Sequence, residues 1–464
     1  MLLFLMFLNI GTIFSQPIPS ELLLYRSKKI LYDFGEDWKS ISCFGPIRFQ
    51  QLENHQLLSD SLNINTRFST YFLNDDITLS NFTTISFKKY FYCYFYPHVV
   101  SNSRLKEFYS GEEYKRIKSS FNESEIGFSG IGFQNKWAII QIGRGRENWG
   151  TGNDIQLALS KNSDAYDYFM LGSDYGNIRV KYIHGFLEST NEGFNRYITA
   201  RGIEWSNKKS LLIAFSEIVI YSGLNRPFDL AYLNPISSHI EIELNNRLND
   251  IPSSNEPSSA NGVWQASVDW LITDKIRFSG NYLYDEFVLD PELEVGKVHG
   301  KAHSFRFSYN LINKKTYALN VFGSNIQVGT PTFRHSSGTN NFVQTGNPLG
   351  WEIGSDSENI NLGLNYLNDN NFLCSIISGF IRKGEESITD RVFERYPNYQ
   401  KGPFPSGIVS EIVYIDTYLH WQFSSHISIF SKATLRKIKS KDPLKNDITL
   451  QLGIDASWKK LFSF

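Results

Sequence analysis

The chain closes on Ile448-Thr449-Leu450-Gln451-Leu452-Gly453-Ile454-Asp455-Ala456-Ser457-Trp458-Lys459-Lys460-Leu461-Phe462-Ser463-Phe464. One parity carries Ile448, Leu450, Leu452, Ile454, Ala456, Trp458, Lys460, Phe462 and Phe464, and the other carries Thr449, Gln451, Gly453, Asp455, Ser457 and Lys459. Because successive side chains of a strand point to opposite faces, this alternation gives one apolar and one polar face. Trp458, Phe462 and Phe464 cluster where an interfacial girdle would lie, and the strand ends on an aromatic residue. Those features together predict the closing strand of a transmembrane β-barrel.

The pattern recurs through the chain. Trp264, Ala266, Val268 and Trp270 alternate with Gln265, Ser267 and Asp269, and after Thr273-Asp274-Lys275 the alternation resumes at Ile276 and continues to Tyr284. Phe305, Phe307, Tyr309 and Leu311 oppose Arg306, Ser308 and Asn310, followed by a turn at Asn313-Lys314-Lys315. Ile360 to Tyr366 and Val413 to Phe423 repeat the arrangement. Alternating runs joined by short polar turns read as hairpins.

Composition separates a membrane barrel from a helical membrane protein. Aromatic residues make up 15% of the chain and net charge is only -1, yet mean hydropathy is negative. A membrane helix needs about 20 apolar residues in a row, and no such run follows Phe14. A barrel hides its membrane face in the alternation, so its average stays polar. The fold expected is therefore all-β, a transmembrane antiparallel β-barrel of about 16–18 strands occupying residues 64–464. Residues 251–259, rich in Ser and Pro, read as an exposed loop between strands.

The N-terminal region reads differently. Residues 1–15 form an apolar segment ended by Ser15-Gln16-Pro17, which resembles a secretory signal peptide cut after Ser15. Residues 16–63 carry two short helical candidates, 21–32 and 51–60, whose economical use is a small plug for a wide lumen, the alternative being a disordered periplasmic lead-in. Residues 107–118 read as a charged surface helix or a long insertion between strands. Cys43, Cys93 and Cys374 are scattered without metal-type spacing, so they are assigned to packing and no metal or other cofactor is expected.

Catalytic signatures are weak. Gly143-Arg144-Gly145-Arg146 lacks the lysine and hydroxyl residue of a phosphate-binding loop, and no Gly-x-Ser-x-Gly elbow occurs. His420 and Ser428 share the inward parity of adjacent strands, whereas lipid chemistry would need the outward one. His184, His239, His299, His303, His335 and His426 are read as loop or lumen residues, and Asp285-Glu286, which could reach sugar or calcium, as a solvated strand end. The protein is therefore expected not to be an enzyme.

Three blocks are more specific. The first is Gly143-Arg144-Gly145-Arg146-Glu147-Asn148-Trp149-Gly150-Thr151-Gly152-Asn153-Asp154, followed by Leu157-Ala158-Leu159-Ser160-Lys161-Asn162-Ser163. The second is Ser216-Glu217-Ile218-Val219-Ile220-Tyr221, leading to Asp229 and to Tyr232-Leu233-Asn234-Pro235. The third is Pro348-Leu349-Gly350-Trp351-Glu352-Ile353-Gly354-Ser355-Asp356. Together they resemble the capsule-assembly Wzi family over residues 125–364. Thr151 stands where that family commonly has proline, and the N-terminal helical segment is weaker than in the enterobacterial pattern.

The resemblance implies an outer-membrane barrel of about eighteen strands with an N-terminal plug, acting as a lectin for capsular polysaccharide or exopolysaccharide at the cell surface. It also implies a role beside the surface adhesins of gliding bacteria as an alternative. The partners expected are polysaccharide, outer-membrane lipid and the barrel-assembly machinery, with no nucleic acid and a monomeric state. Read from their chemistry, Trp149 and Tyr221 offer ring faces to a sugar, while Arg144, Arg146, Asn153, Glu217 and Asp229 offer donors and acceptors for hydroxyls and uronates. A second reading makes these residues structural: mutually satisfied Arg–Glu pairs and tyrosines, with Trp149-Gly150-Thr151-Gly152 a tight turn that needs glycine's positive φ. A channel for small solutes and a barrel hydrolase complete the alternatives, and plugging of the lumen separates the lectin from the channel.

Overall fold

A computed structural model of the chain describes residues 42–44, 61–73, 76–88, 90–101, 123–135, 137–190, 193–245, 260–285, 298–314, 316–336, 338–368, 372–392, 402–424, 426–440 and 445–463. The signal-like segment 1–15, the helical candidates 21–32 and 51–60, and residues 107–118 lie outside the described residues.

The described residues form one 18-stranded antiparallel sheet that closes on itself. Its strands are β1 (Ser61–Leu73), β2 (Asp76–Phe87), β3 (Phe91–Val100), β4 (Glu123–Gln134), β5 (Ala138–Gly145), β6 (Tyr166–Tyr175), β7 (Ile178–Phe186), β8 (Phe194–Ser206) and β9 (Leu211–Leu224). They continue as β10 (Asn261–Thr273), β11 (Ile276–Asp285), β12 (Gly300–Asn313), β13 (Tyr317–Val328), β16 (Ser357–Asn368), β17 (Phe372–Lys383), β18 (Ser410–Gln422), β19 (Ile427–Lys439) and β20 (Lys445–Ser463). A two-residue ladder between β14 (Val343–Gln344) and β15 (Asn347–Pro348) stands apart from the wall. Closure is made by β1 on β20, in register from Ser61↔Ser463 to Leu73↔Gln451.

Each wall strand pairs with its neighbour in sequence, so the barrel is a run of hairpins. The turns at one end are short, as at Lys314, whose amide bonds to the Tyr317 carbonyl. Most of the longer connections, including 146–165, 225–260 and 329–356, leave from the other end. Exposed Trp137, Tyr175, Trp205, Trp270, Trp421 and Phe423 lie outward near the short turns, forming the aromatic girdle expected where a barrel meets a membrane interface.

The alternation read from the sequence sets the two faces. In β20, Leu450, Leu452 and Ile454 are about half exposed on the outside, whereas Gln451 and Asp455 retain 6% and 4% exposure on the lumen side. A one-residue slip would exchange these sets, so register is strongly specified. Arg at Leu452 is therefore expected to cost about 2–4 kcal/mol if placed near the bilayer midplane. Arg at Gln451, on the polar lumen side, is expected to be mild by comparison. Urea unfolding in lipid vesicles checks both, and equal costs at the two positions would contradict the assigned faces.

The lumen holds a packed core rather than an empty bore along part of its wall. Trp149, Ile155, Leu157, Leu349, Trp351 and Ile388 from the connections form one buried cluster with inward residues such as Ile198, Ile218, Val263, Leu283 and Ile326.

Candidate functional site

The first sequence block leaves the wall early. β5 is only eight residues long, and after Gly145 the chain turns into the lumen. Trp149 is completely buried; its Nε1 donates to Glu147 Oε2 at 2.8 Å, and its ring centroid lies 4.8 Å from that of Phe44. Lys181 Nζ, reaching inward from β7, donates to Glu147 Oε2 at 2.5 Å and to the Phe44 carbonyl at 2.8 Å. A buried carboxylate needs such partners to stay ionised.

The Trp149-Gly150-Thr151-Gly152 stretch is a turn with positive φ at both glycines, 128° and 74°. A Cβ on Gly150 would stand 2.9 Å from Asn281 Oδ1, so glycine is required both by the backbone and by the close approach. Beyond the turn, the Thr151 amide donates to Asn281 Oδ1 at 2.8 Å, Asn281 Nδ2 donates to the Thr151 carbonyl at 3.1 Å, and Ser304 Oγ donates to the Ile155 carbonyl at 2.6 Å. The segment therefore crosses the lumen from β5 to β11 and β12.

Ser42, Cys43 and Phe44 dock under this crossing. Glu204 Oε2 accepts from the Cys43 amide at 2.7 Å and from Ser42 Oγ at 2.9 Å, while Arg179 Nη1 donates to Glu204 Oε1 at 2.9 Å. The Gly150 amide in turn donates to the Cys43 carbonyl at 2.8 Å. Burial, reinforced by the Glu204 and Asp269 carboxylates, pushes the Cys43 thiol well above its usual range. It stays a protonated packing group, as expected of it.

The third block meets the first. The Trp351 amide donates to the Leu157 carbonyl at 2.9 Å, the Ser160 amide to the Leu349 carbonyl at 2.9 Å, and Ser160 Oγ to the Gly350 carbonyl. Asp356, also fully buried, accepts from Thr330 Oγ1, the Glu386 amide and the Ser406 amide at 2.9–3.1 Å. It thereby ties the connection after β13 to the one after β17.

The second block goes to the opposite side of the wall. Ile213, Phe215, Glu217, Val219 and Tyr221 share one face of β9; Ile213 and Phe215 are exposed outward, so Glu217 and Tyr221 point outward too. Both are nonetheless buried, because the connection after β9 folds back over the outside. It carries two short helices, α1 (Leu230–Leu233) and α2 (His239–Leu244). Tyr232 of α1 stacks on Tyr221 at 4.2 Å with 10° between the rings, and His184 Nε2 lies 3.0 Å from the Tyr221 hydroxyl. Glu217 accepts from Trp264 Nε1 at 2.9 Å, sits 2.7 Å from His239 Nδ1 and pairs with Arg201 at 3.1 Å. Asp229 caps α1 through the Ala231 amide at 2.9 Å and pairs with Arg226 Nη2 at 2.9 Å.

The seven residues singled out in the sequence thus fall in separate places. Arg146, Trp149 and Asn153 are on the lumen side, where Arg146 donates to the Lys161 carbonyl at 2.7 Å and lies 4.7 Å over the Phe128 ring. Arg146 and Asn153 are half-buried. Arg144 lies on the outward parity of β5 and pairs with exposed Asp167 at 3.4 Å, an ion pair that contributes little at such exposure. Glu217 and Tyr221 lie outside, beneath the folded-back connection, and Asp229 is part of that connection. Lys181, Glu204, Arg201 and Asn281, which complete these networks, carry no motif; inward parity is the one signal that points to Lys181, Glu204 and Asn281.

Several smaller expectations are corrected. Asp285 is fully buried and accepts the Phe333 amide, so it is no solvated strand end. His184 lies on the outer wall rather than in the lumen, and His303 takes outward parity with its ring 5.1 Å from Phe305. His420 and Ser428 face the lumen, as their parity predicted.

A closed barrel of this size with an outward apolar face and an aromatic girdle is an outer-membrane β-barrel, and that is where the protein resides. No family model matches the chain, and no curated protein does either. Among solved structures it is similar to Wzi, an outer membrane protein involved in group 1 capsule assembly in Escherichia coli, with a TM-score of 0.63 at 12% identity. That likeness covers 96% of this chain and 99% of Wzi, so the two share a fold over nearly their full lengths. OprD of Pseudomonas aeruginosa matches at a TM-score of 0.47 and 8% identity, over 88% of this chain and 97% of its own.

Proposed function

We propose that the protein is a non-enzymatic outer-membrane lectin that binds capsular polysaccharide or exopolysaccharide and helps hold it at the cell surface. The observation that carries this reading is the lumen crossing by residues 146–165, bonded to the far wall at Asn281 and Ser304. A solute channel needs an open path, and a packed crossing serves one poorly. The reading also draws on Wzi, described as a carbohydrate-binding β-barrel.

Of the seven residues, Arg146 and Asn153 combine polar chemistry with retained exposure on the lumen side. Arg146 would bind a uronate carboxylate by charge-assisted hydrogen bonds. Trp149, Glu217, Tyr221 and Asp229 serve as supports, since their polar atoms and ring faces are taken up by neighbours. Arg144 sits on the outer wall, away from the other contacts.

The test pairs sugar binding with conductance. The refolded protein should retain an acidic polysaccharide and pass little current in a planar bilayer. Arg146→Ala should lose about 1.5–3 kcal/mol of binding, roughly a tenfold to hundredfold weaker Kd, while remaining heat-modifiable. Large steady conductance with no polysaccharide retention would favour the channel. Unchanged retention in an Arg146→Ala, Asn153→Ala double variant would remove these residues from the site.

A further inference from the structure

The connection between β9 and β10 poses a physical problem, because it covers charged groups on the face of the wall that elsewhere meets lipid. Trp205, in the girdle, pairs with Ile213 of β9. Glu217 stands four residues above Ile213 on the same face, about 14 Å along the strand and, at a tilt of about 40°, about 10 Å up the wall. Tyr221, eight residues above, reaches about 21 Å by the same geometry. The apolar band of such barrels is about 25 Å tall. Arg201, Glu217 and Tyr221 therefore lie within its height.

An ion pair on the lipid face would be costly. Here the folded-back connection shields it, with His239 on Glu217 and the Asn234 carbonyl accepting from Arg201 Nη1 at 3.3 Å, while Trp264 of β10 donates to Glu217 from the wall. The cover itself then takes the place of the wall. Its outer surface is apolar: Phe228 is 48% exposed, Leu230 66% and Ile236 88%. This patch continues upward from exposed Ile203, Ile213 and Phe215 on the bare wall beneath it.

We propose that residues 225–245 form a membrane-immersed anchor, running along the outer wall from near the middle of the apolar band at Glu217 toward the outer-leaflet headgroups above Tyr221, with Leu230 and Ile236 immersed among the acyl chains. Lipid is the occupant because the patch is continuous with the lipid-facing belt. The short helices suit this depth, since their hydrogen-bonded backbone and the Asp229 cap leave fewer peptide groups unsatisfied than an irregular loop would. The anchor would hold the barrel at one height and orientation on the β7–β10 side.

The full chain, refolded into dimyristoylphosphatidylcholine vesicles, tests this with a photoreactive residue. Ile236→benzoylphenylalanine and, separately, Leu230→benzoylphenylalanine are compared with Asp390→benzoylphenylalanine, whose site is exposed on the connection after β17. Both anchor positions point away from the wall, so heat-modifiability should be retained, and either can stand for the other. After irradiation, lipid adducts at 236 and 230 should exceed those at 390 at least fivefold by mass spectrometry. Equal lipid adducts at all three positions would overturn the proposal. So would a protein adduct at 236 in whole cells without a lipid adduct, which would make the patch a docking surface for a partner.

Discussion

Trp149→Ala is expected to destabilise the folded barrel by about 3–5 kcal/mol, the usual cost of deleting a large buried aromatic side chain. The indole is fully buried against Phe44 and donates to Glu147. Its removal opens a cavity and leaves Glu147 leaning on Lys181. The same loss should loosen the lumen crossing, so the bilayer current should rise as the unfolding midpoint falls. Urea unfolding in vesicles and single-channel recording on one preparation provide the two readouts. If the midpoint held while polysaccharide retention fell, the indole would belong to the binding surface after all.

Arg277→Met should cost a similar amount, about 3–5 kcal/mol, by stranding a buried carboxylate. Arg277 Nε and Nη2 donate to the two oxygens of Asp269, each at 2.7 Å, and the side chains keep only 2% and 0% exposure. Replacing both partners, as Asp269→Leu with Arg277→Met, should recover most of the loss, because the uncompensated charge disappears with the pair. The unfolding midpoints of the single and double variants measure the difference. Equal midpoints would mean that water reaches the pair and screens it.

The two ion-pair settings show how charge and fold are coupled here. Asp269 and Arg277 occupy inward positions of β10 and β11, where a barrel wall ordinarily places polar groups. Glu217 and Arg201 occupy outward positions of β9 and β8 and depend on a cover that the strands do not supply. Damage to that cover, for instance at Tyr232 stacked on Tyr221, would expose charge to lipid even though both strands were intact.

Much of the wall was legible in the sequence. Side-chain direction in a strand depends only on parity, a local property, so Leu452 and Gln451, or Trp270 and Asp269, could be assigned to opposite faces without knowledge of any partner. The hairpins around Thr273-Asp274-Lys275 and Asn313-Lys314-Lys315 were likewise readable from turn chemistry. Parity also held information at the candidate site: Glu217 and Tyr221 share it with Ile213 and Phe215, which marks them as outward.

The sequence by itself thus determined the closed sheet, its faces and its hairpins, because period and turn chemistry act over a few residues. Only the tertiary structure decided that residues 146–165 fold into the lumen and residues 225–245 fold over the outer wall. Both are polar, aromatic connections between strands, and their local composition permits either course. The choice rests on contacts far apart in the chain, Thr151 with Asn281 and Leu157 with Trp351 on the inside, and Glu217 with His239 on the outside. Such matches exist only once the wall has brought the partners together, and so the candidate residues were recognisable as a motif but not as three separate places.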